Sequence, residues 1–226
     1  SSDITAQICQ KMVVPYKIVD ASTFICPPKI MDNDKYYNHI KYALDYTLAM
    51  AKQHFILRCN FGVIEHVNIL SLDTNLLIAD RYGLESYNLK SSISEETYNQ
   101  IKLYTENSKT NKREVYIVND SINGGDNIRR WGILQHTEKV DEELNAAQIE
   151  AKARGMLQLY NRAKRDLKFT GLPGDFSVMA GSLVTAKISY TGIGNLFEKV
   201  LVTECSHEIT NNEHRMTMRA QVVTLD

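Results

Sequence analysis

The sequence predicts an α+β fold, and three observations support this prediction. Apolar residues recur with helical spacing at 3–14, at 36–53 and again after residue 141. Runs rich in β-branched residues, several of them alternating with polar ones, lie between and after these helices. The composition, 43% hydrophobic and 23% charged, is ordinary for a folded globular protein. We therefore expect a small helix–helix–hairpin domain at 3–72, followed by a β-rich region at 73–226 that contains one long helix.

The first seventy residues are predicted to form two helices and a hairpin. The first helix, over 3–14, is followed closely by Pro15, which cannot continue it. The second helix, over 36–53, has an apolar face made of Tyr37, Ile40, Ala43, Leu44, Thr47, Leu48 and Ala51. An extended connector that ends at Pro27–Pro28 joins the two helices. The β-rich runs HFILRCN and VIEHVNILSL flank Asn60–Phe61–Gly62, and this arrangement predicts a hairpin.

The middle of the chain, 73–136, is less regular, and local patterns there favour strands. Ser92 and Glu95 have the capping-box spacing that would start a helix. Against this, Ile101 and Leu103 alternate with polar neighbours, which favours a strand from about Tyr98. The segments REVYIVND and NIRRWGILQHTEKV are also predicted strands, separated by the turn-forming SINGGDN.

A long helix is expected over about 141–165. Its acidic start, 141–143, suits the positive end of a helix dipole, and basic residues lie near its other end. Gly155 is expected to weaken its centre by about 1 kcal/mol relative to alanine. Three strands should follow, in SLVTAKISY, KVLVTECSHEI and RMTMRAQVV, and the region 73–226 is expected to divide, if at all, near 137–140.

Charge and composition exclude several classes of protein. The 26 basic and 27 acidic residues leave a net charge of −1, which argues against a dedicated nucleic-acid binder. No run approaches the ~18–20 apolar residues that span a bilayer, and the first ten residues lack the features of a signal peptide. The four cysteines, Cys9, Cys26, Cys59 and Cys205, lack zinc-site spacing, and we expect buried free thiols of a protein made in a reducing cytoplasm.

Two groups of residues were considered as metal-binding or catalytic sites. Cys205 and His207 share a strand face, and His214 follows a predicted turn, but a third ligand of fixed spacing is missing. His54, Cys59 and His66 could supply a nucleophile and a base, but no acidic or amide residue is placed to orient either histidine. In both groups we favour ordinary hairpin residues.

Three further motifs also favour structural roles. Asp141, Glu142 and Glu143 diverge around a helix, which does not suit a glycosidase pair. Gly192 and Gly194 lack the third glycine of a dinucleotide-binding loop. The cluster Arg129–Arg130–Trp131 is expected to lie in a strand. The sequence therefore predicts no catalytic residue, no cofactor and no metal.

Taken together and in order, several segments resemble prophage tail proteins of the XkdQ/YqbQ type. They are 36–69 (YYNHIKYALDYTLAMAKQHFILRCNFGVIEHVNI), 96–107 (ETYNQIKLYTEN), 113–121 (REVYIVNDS), 131–157 (WGILQHTEKVDEELNAAQIEAKARGML), and the closing 172–184 and 202–222. The resemblance covers nearly the whole chain. It implies similarity to late-control-D proteins and to the baseplate hub proteins of contractile tails and tail-like bacteriocins.

The resemblance implies a structural role without catalysis. Such hub proteins form homotrimeric rings between the tail tube and the central spike, contact other baseplate proteins, and are assembled in the bacterial cytoplasm. It also implies a further N-terminal domain, and a barrel-like module built from the β-rich parts of 73–136 and 166–226 with the helix at 141–165 packed on it. The alternative is a peptidoglycan hydrolase, whose first candidate acids are Glu65, Glu142 and Glu143. A wall-binding module is a third possibility, which the 12 tyrosines leave open.

Overall fold

In a computed structural model, the described part of the chain forms three β-sheets and four α-helices. The structure describes residues 1–27, 29, 31, 34–80, 83–94, 96–106, 112–120, 125–140, 144–190 and 194–223. The described strands number twelve, and they form sheets of three, six and three strands. The predicted α+β class is therefore confirmed. Within these ranges, no helix combines the length and the apolarity that a membrane crossing requires.

The N-terminal sheet has three strands with two helices beside it. The elements are α1 (Ser2–Lys11), β1 (Tyr16–Ile18), α2 (Tyr36–Ala51), β2 (Phe55–Asn60) and β3 (Val63–Asn68). β3 lies in the middle, antiparallel to β2 and parallel to β1. The predicted helices and hairpin are present, while the predicted connector contains the short strand β1. Phe61 and Gly62 form the hairpin turn with φ of 47° and 85°, as a tight type I′ turn requires.

The second sheet has six strands and is the largest. Its order is β4 (Asp73–Ala79), β10 (Leu183–Tyr190), β11 (Gly194–Thr210), β12 (Glu213–Val222), β9 (Lys164–Pro173) and β5 (Ser86–Ser92). Neighbouring strands are antiparallel, except that β4 runs parallel to β10. β11 and β12 form a long hairpin whose turn, Asn211–Asn212, has positive φ at both residues. The three strands predicted at the C-terminus are β10, β11 and β12.

The six-stranded sheet curls around its own apolar core. Alternate residues of every strand point to one side, and Phe169, Val184, Val200 and Met218 are among those that are buried there. The curl brings β5, at one edge, towards β10 near the other edge, since the hydroxyl of Tyr87 donates to the carbonyl oxygen of Ser189 at 3.2 Å. A sheet that covers its own core in this way has the barrel-like form that the resemblance implied, but it does not include the strands between residues 100 and 139, which form a separate sheet.

The third sheet lies between β5 and β9 in the sequence. Its order is β7 (Arg113–Asn119), β6 (Gln100–Glu106) and β8 (Gln135–Lys139), and a short helix, α3 (Asn127–Trp131), precedes β8. The helix α4 (Ala146–Tyr160) packs on one face of this sheet and also against α2. Ile101 and Leu103 of β6, with Ile149, Ala153 and Leu157 of α4, form the shared core. The segment 137–139 thus pairs within this sheet, and the expected domain division stays a prediction.

Gly155 of α4 has a packing role that its helix propensity does not reveal. A Cβ atom at this position would lie 2.4 Å from the carbonyl oxygen of Ala49 in α2. Real Cβ atoms do not approach backbone oxygen so closely, because such contacts are strongly repulsive. Gly155 therefore allows α4 and α2 to pack with their backbones in contact.

The predicted bounds of the long helix were wrong at both ends. α4 begins at Ala146 rather than at residue 141, because Asn145 and Gln148 form a capping box by reciprocal side-chain to backbone hydrogen bonds. The acidic residues 141–143 lie outside the described residues. At the other end α4 stops at Tyr160, and Lys164 and Arg165, which were expected in the helix, belong to β9.

One prediction about a shorter segment was also wrong, and one weaker sequence pattern has no counterpart in the structure. Arg129, Arg130 and Trp131 lie in helix α3 and not in a strand, because the carboxylate of Asp120 accepts a hydrogen bond from the backbone N–H of Asn127 at 2.7 Å and so holds the start of a helix there. Ser92 starts no helix. It is the last residue of β5, and its hydroxyl accepts a hydrogen bond from the backbone N–H of Ser94.

Candidate functional site

The structure brings Cys205, His207 and His214 together on the β11–β12 hairpin. Nδ1 of His207 lies 2.9 Å from Nε2 of His214, and Nε2 of His207 lies 2.9 Å from the carbonyl oxygen of Val178. Since a carbonyl oxygen only accepts, Nε2 of His207 carries a proton and donates it to Val178. The ring of Phe176 stacks on His214 at 4.1 Å. Within the described ranges no three His, Cys, Asp or Glu side chains have a metal-binding arrangement.

The second group, His54, Cys59 and His66, is not assembled into a site. His66 is fully buried, stacks on Phe55, and its Nδ1 lies 2.9 Å from the carbonyl oxygen of Asp20. Cys9 is buried as expected, but Cys26 and Cys205 are only partly buried and Cys59 is exposed, contrary to the expectation of buried thiols. Burial and the charge of Arg162 lower the pKa of His54. All four cysteines are free. The hydrogen bond between His66 and Asp20 holds the connector against β3.

The acids named for a hydrolase do not form a pair. Oε2 of Glu65 accepts a hydrogen bond from Arg58 at 2.7 Å, and Oε1 accepts one from Asn60 at 3.2 Å. These two bonds, that of Asn60 foremost, lower the pKa of Glu65, which makes it a poor proton donor near neutral pH. Glu142 and Glu143 lie outside the described residues, as do Asp141 and Gly192.

A cavity of about 210 Å³ lies where α2, α4, β8 and the segment before β6 meet. Its lining is rich in tyrosine and in charged side chains. The tyrosines and two of its acids are Tyr42, Asp45, Tyr46, Tyr98, Glu138 and Tyr160. The ring of Tyr98 packs at an edge against Tyr160, with 5.7 Å between centroids, and lies 4.9 Å from the ring of His136.

The carboxyl groups that line this cavity differ sharply in their surroundings. Glu138 is partly buried, which opposes ionisation, but the neighbouring His136 and the ion pair with Lys152 outweigh burial and lower its pKa to about 2. The Lys152 ammonium, 3.0 Å from Glu138, is itself almost fully buried. For Asp45, burial dominates and raises the pKa to about 6, although Lys41 acts in the opposite direction. The cavity thus holds one stabilised and one destabilised carboxylate.

Sequence reasoning missed this cavity. Tyr42, Asp45, Tyr46 and Ala49 have the i, i+3, i+4, i+7 spacing of a helix face, and that signal was available in the sequence. The other walls come from β8, α4 and residues 96–98, which are up to 115 residues away along the chain from Asp45. Their convergence depends on how α4 packs on α2, which no local pattern specifies.

Three solved structures share this fold. The chain is similar to prophage tail protein gp18 from Listeria monocytogenes EGD-e, with 12% identity, a TM-score of 0.53 and 96% of this chain covered. It is also similar to the 43 kDa tail protein of prophage MuSo2 from Shewanella oneidensis, with 12% identity, a TM-score of 0.61 and 99% covered. A tail protein from Neisseria meningitidis MC58 is similar as well, with 11% identity, a TM-score of 0.54 and 97% of this chain covered. In each case 64% of the solved chain is covered.

Within that fold class, the chain belongs to the YQBQ-like family, whose model matches residues 1–221. A curated relative is the phage-like element PBSX protein XkdQ of Bacillus subtilis (strain 168), which is 22% identical over 225 residues. That match covers 96% of this chain and 64% of the relative, so the chain spans less than two thirds of the proteins it resembles. The resemblance to XkdQ/YqbQ-type proteins is therefore confirmed at the level of the family.

Proposed function

We propose that this chain is a structural component of a prophage-type tail and forms part of the hub ring at the distal end of the tail. Membership of the YQBQ-like family carries the proposal, since the relative XkdQ is named as a protein of a phage-like element. Three structures that share the fold are named tail proteins, which supports the same assignment. In this proposal the tail belongs to a contractile phage or a tail-like bacteriocin and is assembled in the cytoplasm.

The proposed hub is a homotrimer that contacts the tail tube, the central spike and other baseplate proteins. A closed ring of three subunits uses the same surfaces in every subunit and leaves none of them free. Sheet edges are natural surfaces for such contacts because their backbone groups are unpaired. The third sheet ends at β7, where Val115 and Ile117 are each about half exposed, at 49% and 52%. These two side chains, on the face opposite α4, are our candidates for a subunit contact.

Light scattering on the purified chain tests the trimer. We expect a mass of three times 25.7 kDa, about 77 kDa. The double variant Val115→Lys with Ile117→Lys should reduce the mass to that of one subunit. Thr137→Lys is the matched control, since Thr137 lies in the same cross-strand row as Ile117 but at the opposite edge of the sheet. A wild-type mass of 25.7 kDa would contradict the trimer.

A peptidoglycan hydrolase is the second candidate function, and one observation favours it. The cavity holds Asp45, whose pKa is raised to about 6, together with Glu138, whose pKa is lowered to about 2. Glycosidases separate the pKa values of an acid and a base in this way. A turbidity assay on cell walls decides between the two: the structural proposal predicts no clearing. Clearing that Asp45→Asn abolishes and the exposed control Asp3→Asn does not would establish the enzyme. Cosedimentation of the chain with cell walls would reveal a wall-binding module.

A further inference from the structure

We propose that the tyrosine-lined cavity between α2 and α4 binds an organic cation, namely an alkylammonium or alkylguanidinium group, whose charge contacts the carboxylate of Asp45. The proposal goes beyond the tail role and does not depend on it. It rests on the aromatic walls, on the pattern of ion pairs around the cavity, and on its size.

The tyrosine walls already accommodate cations from this chain. The Lys29 ammonium lies 4.3 Å from the ring centroid of Tyr42, and the Lys152 ammonium lies 5.1 Å from that of Tyr46. Ring faces attract cations within about 6 Å, because the quadrupole of the ring is negative over its face. Two more rings, those of Tyr98 and Tyr160, line the same cavity. The walls are therefore suited to a positively charged ligand.

Asp45 differs from the two other carboxyl groups in the lining of the cavity, because each of those forms an ion pair. Glu138 is paired with Lys152 at 3.0 Å, and Glu96 is paired with Lys164 at 2.5 Å. No hydrogen bond or ion pair joins the Asp45 carboxylate to another residue of the part of the chain that the structure describes. Burial destabilises the carboxylate and raises the pKa of Asp45, and the opposing charge of Lys41 does not offset it. A bound cation would supply the missing partner.

The dimensions suit a ligand about the size of one side chain. A volume of about 210 Å³ is below the ~300–1,000 Å³ of pockets for drug-sized molecules. A wider surface depression adjoins the cavity at Glu96 and Tyr98, so an alkyl chain can enter from solvent with its charged end first. An anionic ligand is disfavoured by the three carboxyl groups in the lining, and a neutral sugar would leave Asp45 unpaired.

Calorimetric titration of the wild-type chain with n-butylammonium, n-butylguanidinium and 1-butanol tests this inference. The two cations should bind, and 1-butanol, which matches their alkyl chain but has no charge, should bind at least tenfold more weakly. Asp45→Asn should weaken the cations at least tenfold, while Asp3→Asn, an exposed substitution on α1, should leave their affinity unchanged. Nα-acetyl-lysine methylamide identifies the source of the cation. If it binds as tightly as n-butylammonium, the natural ligand is a lysine side chain of a partner. If it does not bind, the natural ligand is a free amine.

Proton release provides a second readout that does not need a variant. A cation that pairs with Asp45 stabilises its ionised form, so binding near pH 6 should release a proton, and buffers of different ionisation heat measure this release. The other groups that face Asp45 or line the cavity are Lys41, Glu96, His136, Glu138, Lys152 and Tyr160. Asp45→Asn should abolish the release if Asp45 is its source.

Three results would overturn the inference. They are binding of 1-butanol as tight as that of the two cations, cation affinity that Asp45→Asn leaves unchanged, and binding of an N-acetylglucosamine oligomer in place of the amines.

Discussion

The six-stranded sheet and the α2–α4 region bury very different side chains. The core of the six-stranded sheet is apolar throughout, and Ser182 is the one buried polar residue recorded in its part of the described chain. The α2–α4 region and the adjoining third sheet bury Thr47, Thr97, Asn99, Asp120 and Lys152. The interior of the first region is held by packing, and its ion pairs, such as Lys199 with Asp73, are partly exposed. The second region buries the charge of Lys152, so its interior should respond to pH and to small ligands.

Truncation in the apolar core should have the largest effect. Phe169 of β9 is fully buried in the six-stranded sheet, so Phe169→Ala should lower the free energy of unfolding by about 3–5 kcal/mol. Phe197→Ala is the control, since Phe197 is 67% exposed on the outer face of β11, and its effect should stay within about 0.5 kcal/mol. Urea unfolding followed by circular dichroism measures both. Equal effects would mean that the sheet does not enclose its core.

Breaking the buried ion pair between Lys152 and Glu138 should have the second-largest effect on stability. Lys152→Met leaves Glu138 without its partner and should cost about 2–3 kcal/mol at neutral pH. Because the pKa of Glu138 is lowered, the contribution of the pair is present above pH 4.5 and is lost as the pH falls towards about 2. The variant and the wild type should therefore converge in acid. Arg154→Met, which breaks the exposed pair with Glu150 on the same helix, should change little.

Gly155→Ala should destabilise the chain although alanine is the better helix former. The gain in helix propensity is about 1 kcal/mol, but the new Cβ would lie 2.4 Å from the Ala49 carbonyl oxygen. We expect a net loss of about 1–3 kcal/mol in the free energy of unfolding, measured in urea. Gln158→Ala on the exposed side of α4 is the control and should be near neutral. Stabilisation by Gly155→Ala would show that α4 and α2 are not in backbone contact.

The smallest predicted effect is a gain in stability. Asp45→Asn removes a carboxylate whose folded pKa, about 6, exceeds its ordinary 3.8. A raised carboxyl pKa means that wild-type stability falls as the pH rises from 3.8 through 6, and the penalty is then complete. After allowance for solvent screening, we expect the variant to be about 1 kcal/mol more stable near pH 7.5 and equal near pH 3.5. Unfolding at both pH values measures this, and a destabilised variant at pH 7.5 would contradict it.

The sequence predicted best those parts of the fold that depend on local pattern. Alternating residues identified the hairpin strands, and Phe61–Gly62 identified their turn. The capping box of Asn145 and Gln148 also has a recognisable spacing, but the helix was predicted to start at the acidic run 141–143, five residues too early. Helix α3 depends on the hydrogen bond that the backbone N–H of Asn127 donates to Asp120, seven positions away, so it could not be predicted from its own residues.

The cavity could be predicted only in part. One wall, with Asp45 at its centre, lies on a single helix face and is visible in the sequence. In the sequence, Lys152 has the appearance of a surface residue. The packing of α4 against α2 and β8 nevertheless buries it beside Glu138. Tyr98 and Tyr160 come together because the backbone N–H of Tyr98 donates to the carbonyl oxygen of Tyr160 at 3.1 Å. Such contacts arise from tertiary packing, which local spacing does not encode.

Immunogold electron microscopy on particles purified from the source strain tests the proposed role most directly. An antibody against this chain should label the distal end of tail particles, at one site per tail, because we propose that the chain forms a hub ring between the tube and the spike. Particles without label, with the chain recovered instead as free protein that clears cell walls, would contradict the structural role.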